Sequence, residues 1–168
     1  MNNIKIRKIK NSDVDSVKDI FNHFCKSGFA CYREGDFTSE EIKNRMNNMS
    51  LGYVAEAEDK VIGFGYVSPY KNFDAFANTG VLTYFILPEY TGTGIGSKFL
   101  NTILENSRVL NINNFLAHIS SKNEPSLSFH KKHGFEEVGR FKKIAKKFGE
   151  KLDIIWVQKI LDDGGGNE

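Results

Sequence analysis

Only two cysteines occur in 168 residues, and Cys25 and Cys31 match neither a C-x-x-C pair nor a metal-ligand spacing. Their scarcity points to a reduced, cytoplasmic setting and to no bound metal. No apolar run reaches the length of a membrane span. The opening MNNIKIRKIK alternates apolar and basic residues and lacks the continuous apolar core of a secretory signal. Charge of one sign is missing too: a net charge of +2 demands neither nucleic acid nor a membrane surface as partner. No internal repeat is visible. What remains is an ordinary globular composition in a chain long enough for one well-buried α/β domain.

Ile4, Ile6 and Ile9 alternate with basic residues, the pattern of a strand with one buried face. Ser12 or Asp13 then caps a helix carrying Val14, Val17, Ile20, Phe21 and Phe24 at helical spacing, ended by Gly28. The segment FACYREGDF has no clear period and fits either a packed loop or one wall of a substrate site. Thr38 and Glu41 form a capping box for a second helix through Met46. Gly52–Glu58 and Val61–Val67 read as strands joined at Asp59-Lys60. A strand from Val81 to Leu87 follows, stopped by Pro88, and then an amphipathic helix with Ile95, Phe99, Leu100, Ile103 and Leu104. Phe115–Ser120 is a strand, and Asn123-Glu124-Pro125 opens a helix that ends at Gly134. Two last strands, Phe135–Phe141 and Leu152–Leu161, flank a lysine-rich loop with Lys142, Lys143, Lys146, Lys147 and Lys151. That loop fits a solvated run or an electropositive rim. One domain over residues 1–161 is expected, with 162–168 a mobile tail.

Between strand and helix lies TGTGIGS, which sets Gly92, Gly94 and Gly96 around the helix start. Glycines there permit tight turning and close approach, and the first helical turn offers unpaired N–H groups to phosphate. Such a turn also occurs without any ligand. The β-α-β crossover around it demands a parallel pair, while hairpins at both ends demand antiparallel neighbours.

With Thr91-Gly92-Thr93-Gly94-Ile95-Gly96, Asn123 followed by His130 and Gly134-Phe135, and Lys147-Phe148-Gly149, Leu152-Asp153, Trp156 and Gln158, the chain resembles the GNAT superfamily. Within it, the chain is similar to the phosphinothricin and methionine-sulfoximine acetyltransferase group. The resemblance implies a GNAT-like α/β fold: a mixed, mostly antiparallel central sheet with a parallel β-α-β crossover and helices on both faces. It implies acetyl-CoA as cosubstrate, direct transfer to the free amine of a small amino-acid-like molecule, and a homodimer. Carried over by position, Tyr84, Phe85, Ile86 and Asn123 would meet the pantetheine arm. Gly92, Thr93, Gly94, Ile95, Gly96 and Ser97 would hold the pyrophosphate. Tyr32, Arg33, Lys71, Phe73, Val81 and Thr83 would border the acceptor, and His130 would serve as the acid.

Departures from the group fall on the acceptor half. Val81 stands where the group commonly has a glutamate base, and Phe73 where it has an arginine; Thr91 replaces a basic or amide residue. Tyr32-Arg33-Glu34-Gly35-Asp36 displaces the group's early-loop glutamate by one. Loss of a general base slows transfer by about 10² to 10⁴. An α-amine with a pKa of ~8 is still roughly 10% neutral at pH 7, against under ~0.1% for a lysine-like amine. Glu34, Asp36, Glu56 and Asp74 could replace the base, and His118, inside a strand, reads more simply as a satisfied core histidine. An acyl-CoA-binding sensor without catalysis and an acetyltransferase for protein N-termini or polyamines are the competing functions.

Overall fold

The computed structural model describes residues 4–161, so the tail expected to be mobile lies outside the described residues. The chain runs β1 (Lys5–Lys8), α1 (Val14–Lys26), α2 (Ser39–Asn47), β2 (Leu51–Ala57), β3 (Lys60–Pro69) and β4 (Thr79–Ile86). It continues through α3 (Ile95–Ser107), β5 (Asn114–Ser120), α4 (Glu124–Lys132), β6 (Glu136–Lys147) and β7 (Glu150–Ile160). The strands form one sheet in the order β1-β2-β3-β4-β5-β7-β6. Only β4 and β5, joined by the α3 crossover, pair in parallel.

Each face of the sheet carries its own core. Val17, Ile20 and Phe21 of α1 and Ile42 of α2 pack on Val54, Phe64 and Tyr66. On the opposite face, Phe99, Leu100 and Ile103 of α3 pack on Ala55, Leu82, Ala117, Ile119 and Val157. Gly65 makes that docking possible. A Cβ there would crowd Phe99 and Ile103 of α3 and Tyr84 of the next strand. β1 is fastened by Arg7, which donates to Asp13 at 2.8 Å and to Glu56 of β2 at 2.8 Å. Asp13 is also the cap of α1 and accepts the Lys10 N–H.

Local signals placed most boundaries well. Thr38 and Glu41 make the reciprocal capping box at the start of α2, and Gly28 (φ +66°) and Gly134 (φ +77°) follow the ends of α1 and α4. Two readings need correction. The β2–β3 turn is centred on Glu58 and Asp59, both at positive φ, one residue before the expected pair. The lysine-rich segment is not a loop: β6 runs on to Lys147 and turns at Phe148-Gly149. The expected strand to Phe141 is its first half; both faces of β6 are largely exposed, so no apolar alternation marked its continuation beyond Phe141. Lys147 itself is fully buried, and its Nζ donates to the carbonyl oxygens of Cys31 (2.7 Å) and Phe24 (3.2 Å). It ties the last hairpin to the loop after α1.

Candidate active site

β4 and β5 stay paired for only three residues, Thr79–Val81 against Asn114–Leu116. Beyond them β4 follows β3 as far as Ile86, and β5 follows β7 as far as Ser120, so the two strands diverge. The inner edge of β4 at Tyr84, Phe85 and Ile86 is thereby left without a strand partner, and its main-chain groups are free to pair with an extended ligand. A cavity of about 350 Å³ occupies the gap.

Residue alternation splits the cavity by sheet face. Leu82, Tyr84, Ala117 and Ile119 belong to the α3 face. Thr83, Phe85, His118 and Ser120 therefore point to the α1–α2 face, where Phe85 joins the second core. The loop after α1 closes that side with Cys31, Tyr32 and Arg33, and Arg45 of α2 joins them. The segment with no clear period is thus a cavity wall. Cys25 and Cys31 behind it are free thiols, Sγ to Sγ 3.1 Å, and burial pushes the Cys25 thiol up to about 12.

On the α3–α4 face His130 is buried. Its Nδ1 lies 2.7 Å from the Ser126 carbonyl oxygen, which can only accept, so Nδ1 carries the proton. Its Nε2 then accepts from the Tyr84 hydroxyl at 2.8 Å. Burial pulls the His130 pKa below the ordinary imidazole value, the Ser126 contact opposing it, and burial raises that of Tyr84 strongly. The resting pair is neutral.

On the other face His118 is held by Tyr32. The Tyr32 hydroxyl donates to the His118 carbonyl oxygen (3.1 Å) and lies 3.3 Å from His118 Nδ1. The His118 ring stacks on Tyr32 and leans on Trp156, directly opposite on β7. His118 is exposed, and partial desolvation by the surrounding protein lowers its pKa. Arg33 and Arg45 stack on Phe37 at 4.4 and 4.9 Å. Arg33 is paired with Glu41 at 2.7 Å, which holds the Glu41 carboxyl at about 2. No carboxylate pairs with Arg45 among the described residues. A second hollow bordered by Asn44, Asn48 and Ser68 shares both arginines.

The glycine turn sits where β4 hands over to α3. Gly92 (φ +76°) and Gly94 (φ +84°) are left-handed, and a Cβ on either would meet nothing, so conformation and not space requires glycine. Gly94 caps α3 without any side-chain hydrogen bond. The first-turn N–H groups of Ile95, Gly96 and Ser97 are therefore unsatisfied by any cap, while Thr93 turns its hydroxyl back to the Tyr90 carbonyl oxygen. A Cβ on Gly96 would press on Phe129 of α4 and approach Ile86, so the turn borders the open end of the gap. An open strand edge leading to an uncapped helix start fits an amide-rich arm ending in a pyrophosphate.

Of the expected site residues, Tyr32, Arg33, Thr83, Tyr84, Phe85, Asn123 and His130 line the one cavity. Asn123 also caps α4 through the Ser126 N–H. Ile86 and the turn over residues 92–97 are not among the cavity's lining residues, and three of the expected acceptor residues lie elsewhere. Val81 is at the closed root of the gap, opposite Leu116. Phe73 is 70% exposed, and Lys71 points at the Tyr70 and Phe76 rings outside the cavity. None of the four substitute carboxylates reaches the cavity. Glu34 accepts the Phe148 N–H, Asp36 pairs with Lys26, Glu56 pairs with Arg7, and Asp74 starts a short turn in the linker before β4. His118, Arg45 and Ser126 are cavity residues that the sequence did not single out as such; the one signal for His118 was its alternation with Leu116 and Ser120. No cluster of three metal-ligating side chains exists among the described residues, and no helix there is long and apolar enough to cross a membrane.

Residues 6–156 match the acetyltransferase (GNAT) domain family. Phosphinothricin N-acetyltransferase of Streptomyces coelicolor is 25% identical over 165 residues, covering 94% of this chain and 96% of that protein. L-methionine sulfoximine/L-methionine sulfone acetyltransferase of Salmonella typhimurium is 26% identical, covering 94% and 95%. Among solved structures, a phosphinothricin acetyltransferase from Sinorhizobium meliloti in complex with AcCoA superposes with a TM-score of 0.89 at 26% identity, covering 98% of this chain and 92% of that one. Because the family match runs from β1 into β7, over the fold on which the cavity is built, the chain belongs to the GNAT family of acetyltransferases.

Proposed function

We propose that this protein transfers acetyl from acetyl-CoA to the free amine of a small, acidic, amino-acid-like molecule. The observation that carries the reading is the gap between β4 and β5, open along one strand edge and leading to the uncapped start of α3. Acetyl-CoA supplies the activated thioester. Tyr84, Phe85 and Ile86 lend main-chain groups to its amide-rich arm, Asn123 flanks it, and Gly92 through Ser97 take the pyrophosphate. An N–H on the open edge of β4 can hold the thioester oxygen as negative charge grows there. His130 serves the leaving sulfur through Tyr84. Once protonated, it donates from Nε2 to the Tyr84 oxygen, and the Tyr84 hydroxyl is free to turn its own proton into the gap. A low pKa makes that protonated form a ready donor.

Two guanidinium groups and no carboxylate border the acceptor side, which suits a substrate bearing its own carboxylate and disfavours a polyamine. Arg45, without an acidic partner, is the group we assign to that carboxylate, taking the place the group gives to an arginine where Phe73 stands. The names of the relatives, for phosphinothricin and for methionine sulfoximine and sulfone, agree with an acceptor of that class. Val138, Phe141 and Ile144 of β6 are exposed apolar side chains, which supports a homodimer joined through that edge strand. The free thiols fit a cytoplasmic protein. Thiol release from acetyl-CoA with phosphinothricin, methionine sulfoximine, methionine sulfone and a polyamine tests the reading. Release with an acidic amine and none with the polyamine is the expected result.

A further inference from the structure

No carboxylate lines the cavity among the described residues, and only two of its groups, His118 and His130, titrate near neutral pH. Both nitrogens of His130 are engaged, by Ser126 and by Tyr84. His118 differs. Since the Tyr32 hydroxyl gives its proton to the His118 carbonyl oxygen, the 3.3 Å contact with Nδ1 must be a donation from Nδ1–H to the Tyr32 oxygen. That fixes the tautomer and leaves the Nε2 lone pair with no hydrogen-bond partner among the described residues. The ring stands on the same sheet face as Val81, two residues beyond the Val81–Leu116 pair, where the strands have already parted. The site has lost a base at one strand and carries an imidazole on the facing strand.

We propose that His118 is the catalytic base of this acetyltransferase: its Nε2 takes the proton of the attacking amine, with Tyr32 as the positioning residue. The assignment rests on the proposed N-acetyl transfer. As the N–C bond forms and the C–S bond breaks, the nitrogen passes one proton to His118 Nε2, which releases it to solvent. The departing thiolate regains one through Tyr84. The titratable and charged groups around His118 are Cys31, Tyr32 and Arg33 of the loop, Arg45 of α2, Tyr66 of β3, and Tyr84 with His130 across the gap. Arg33 is neutralised by Glu41, and the remaining cation, Arg45, favours the neutral imidazole that a base requires.

His118→Gln and Tyr32→Phe test this, with acetyl-CoA and methionine sulfoximine as substrates. In His118→Gln, kcat should fall by about 10² to 10⁴ while the acetyl-CoA dissociation constant stays within about threefold of the wild type. At pH below the lowered His118 pKa the wild-type log(kcat/KM) should fall with a slope of about two, one each for the amine and His118, and with a slope of about one in His118→Gln. Nitrogen-15 NMR of the wild-type imidazoles should show His118 with Nδ1 protonated and Nε2 bare at neutral pH, reverting in Tyr32→Phe. Turnover retained in His118→Gln, or a wild-type His118 protonated at Nε2, would overturn the assignment and leave the N-acetyl transfer standing. Absence of turnover in the wild type with every amine would overturn both.

Discussion

His130 and Tyr84 show how one contact changes what a side chain can do. A histidine at the superfamily's tyrosine position reads as a proton donor, yet here its Nδ1 is committed to a carbonyl oxygen and its Nε2 to a hydroxyl. In the proposed transfer, donation then has to pass through Tyr84. Tyr84→Phe keeps the main chain of β4 and removes the relay, so turnover should fall by about 10- to 100-fold with acetyl-CoA binding unchanged. His130→Phe should fall by a similar factor, and the double variant by little more than either. Steady-state kinetics with isothermal titration checks this, and additive losses would separate the two residues. Neither the relay nor the Tyr32–His118 contact was legible in the sequence. The latter joins residues 86 apart, and nothing local to His118 distinguishes a ring turned into a cavity from one in a core. Lys147 was hidden in the same way, since its carbonyl partners lie more than a hundred residues upstream.

The elements were far more readable than their contacts. The order β-α-α-β-β-β-α-β-α-β-β stands in the structure as the alternating and helical spacings imply. The capping box at Thr38, the proline at the start of α4 and the glycines after α1 and α4 act within a few residues, so local sequence contains them. The second half of edge strand β6, beyond Phe141, lacked any such signal. The α3 turn reads as a phosphate cradle only together with Asn123, His130 and the C-terminal pattern, because an uncapped helix start says nothing about what approaches it. Gly94 offers the direct test. At φ +84° an alanine is strained by roughly 1–2 kcal/mol, although space is open. Gly94→Ala should therefore lower the midpoint of thermal unfolding by a few degrees and weaken acetyl-CoA binding by about tenfold or more. Calorimetry and titration read the two effects, and unchanged acetyl-CoA affinity would remove the turn from the binding site.

At the scale of the molecule, one sheet separates two tasks. The α3–α4 face carries the uncapped helix start, Tyr84 and His130. The α1–α2 face carries the loop 28–37, His118 and the two arginines. The gap between β4 and β5 is the passage between them, and Arg7 and Lys147 brace the outer strands and the loop around it. Exposed Val138, Phe141 and Ile144 extend the same sheet outward. Phe141→Glu should convert a dimer to a monomer in light scattering with little loss of thermal stability, and a wild-type protein already monomeric at micromolar concentration would remove the dimer. Everything functional depends on the gap being a transfer site, not only a binding cleft. The most direct measurement is the release of free thiol when the purified protein is mixed with acetyl-CoA and methionine sulfoximine, with the acetylated amine followed in parallel by mass spectrometry. One thiol released for each N-acetylated product is the expected result; acetyl-CoA bound without thiol release, with this or any acidic amine, would contradict it.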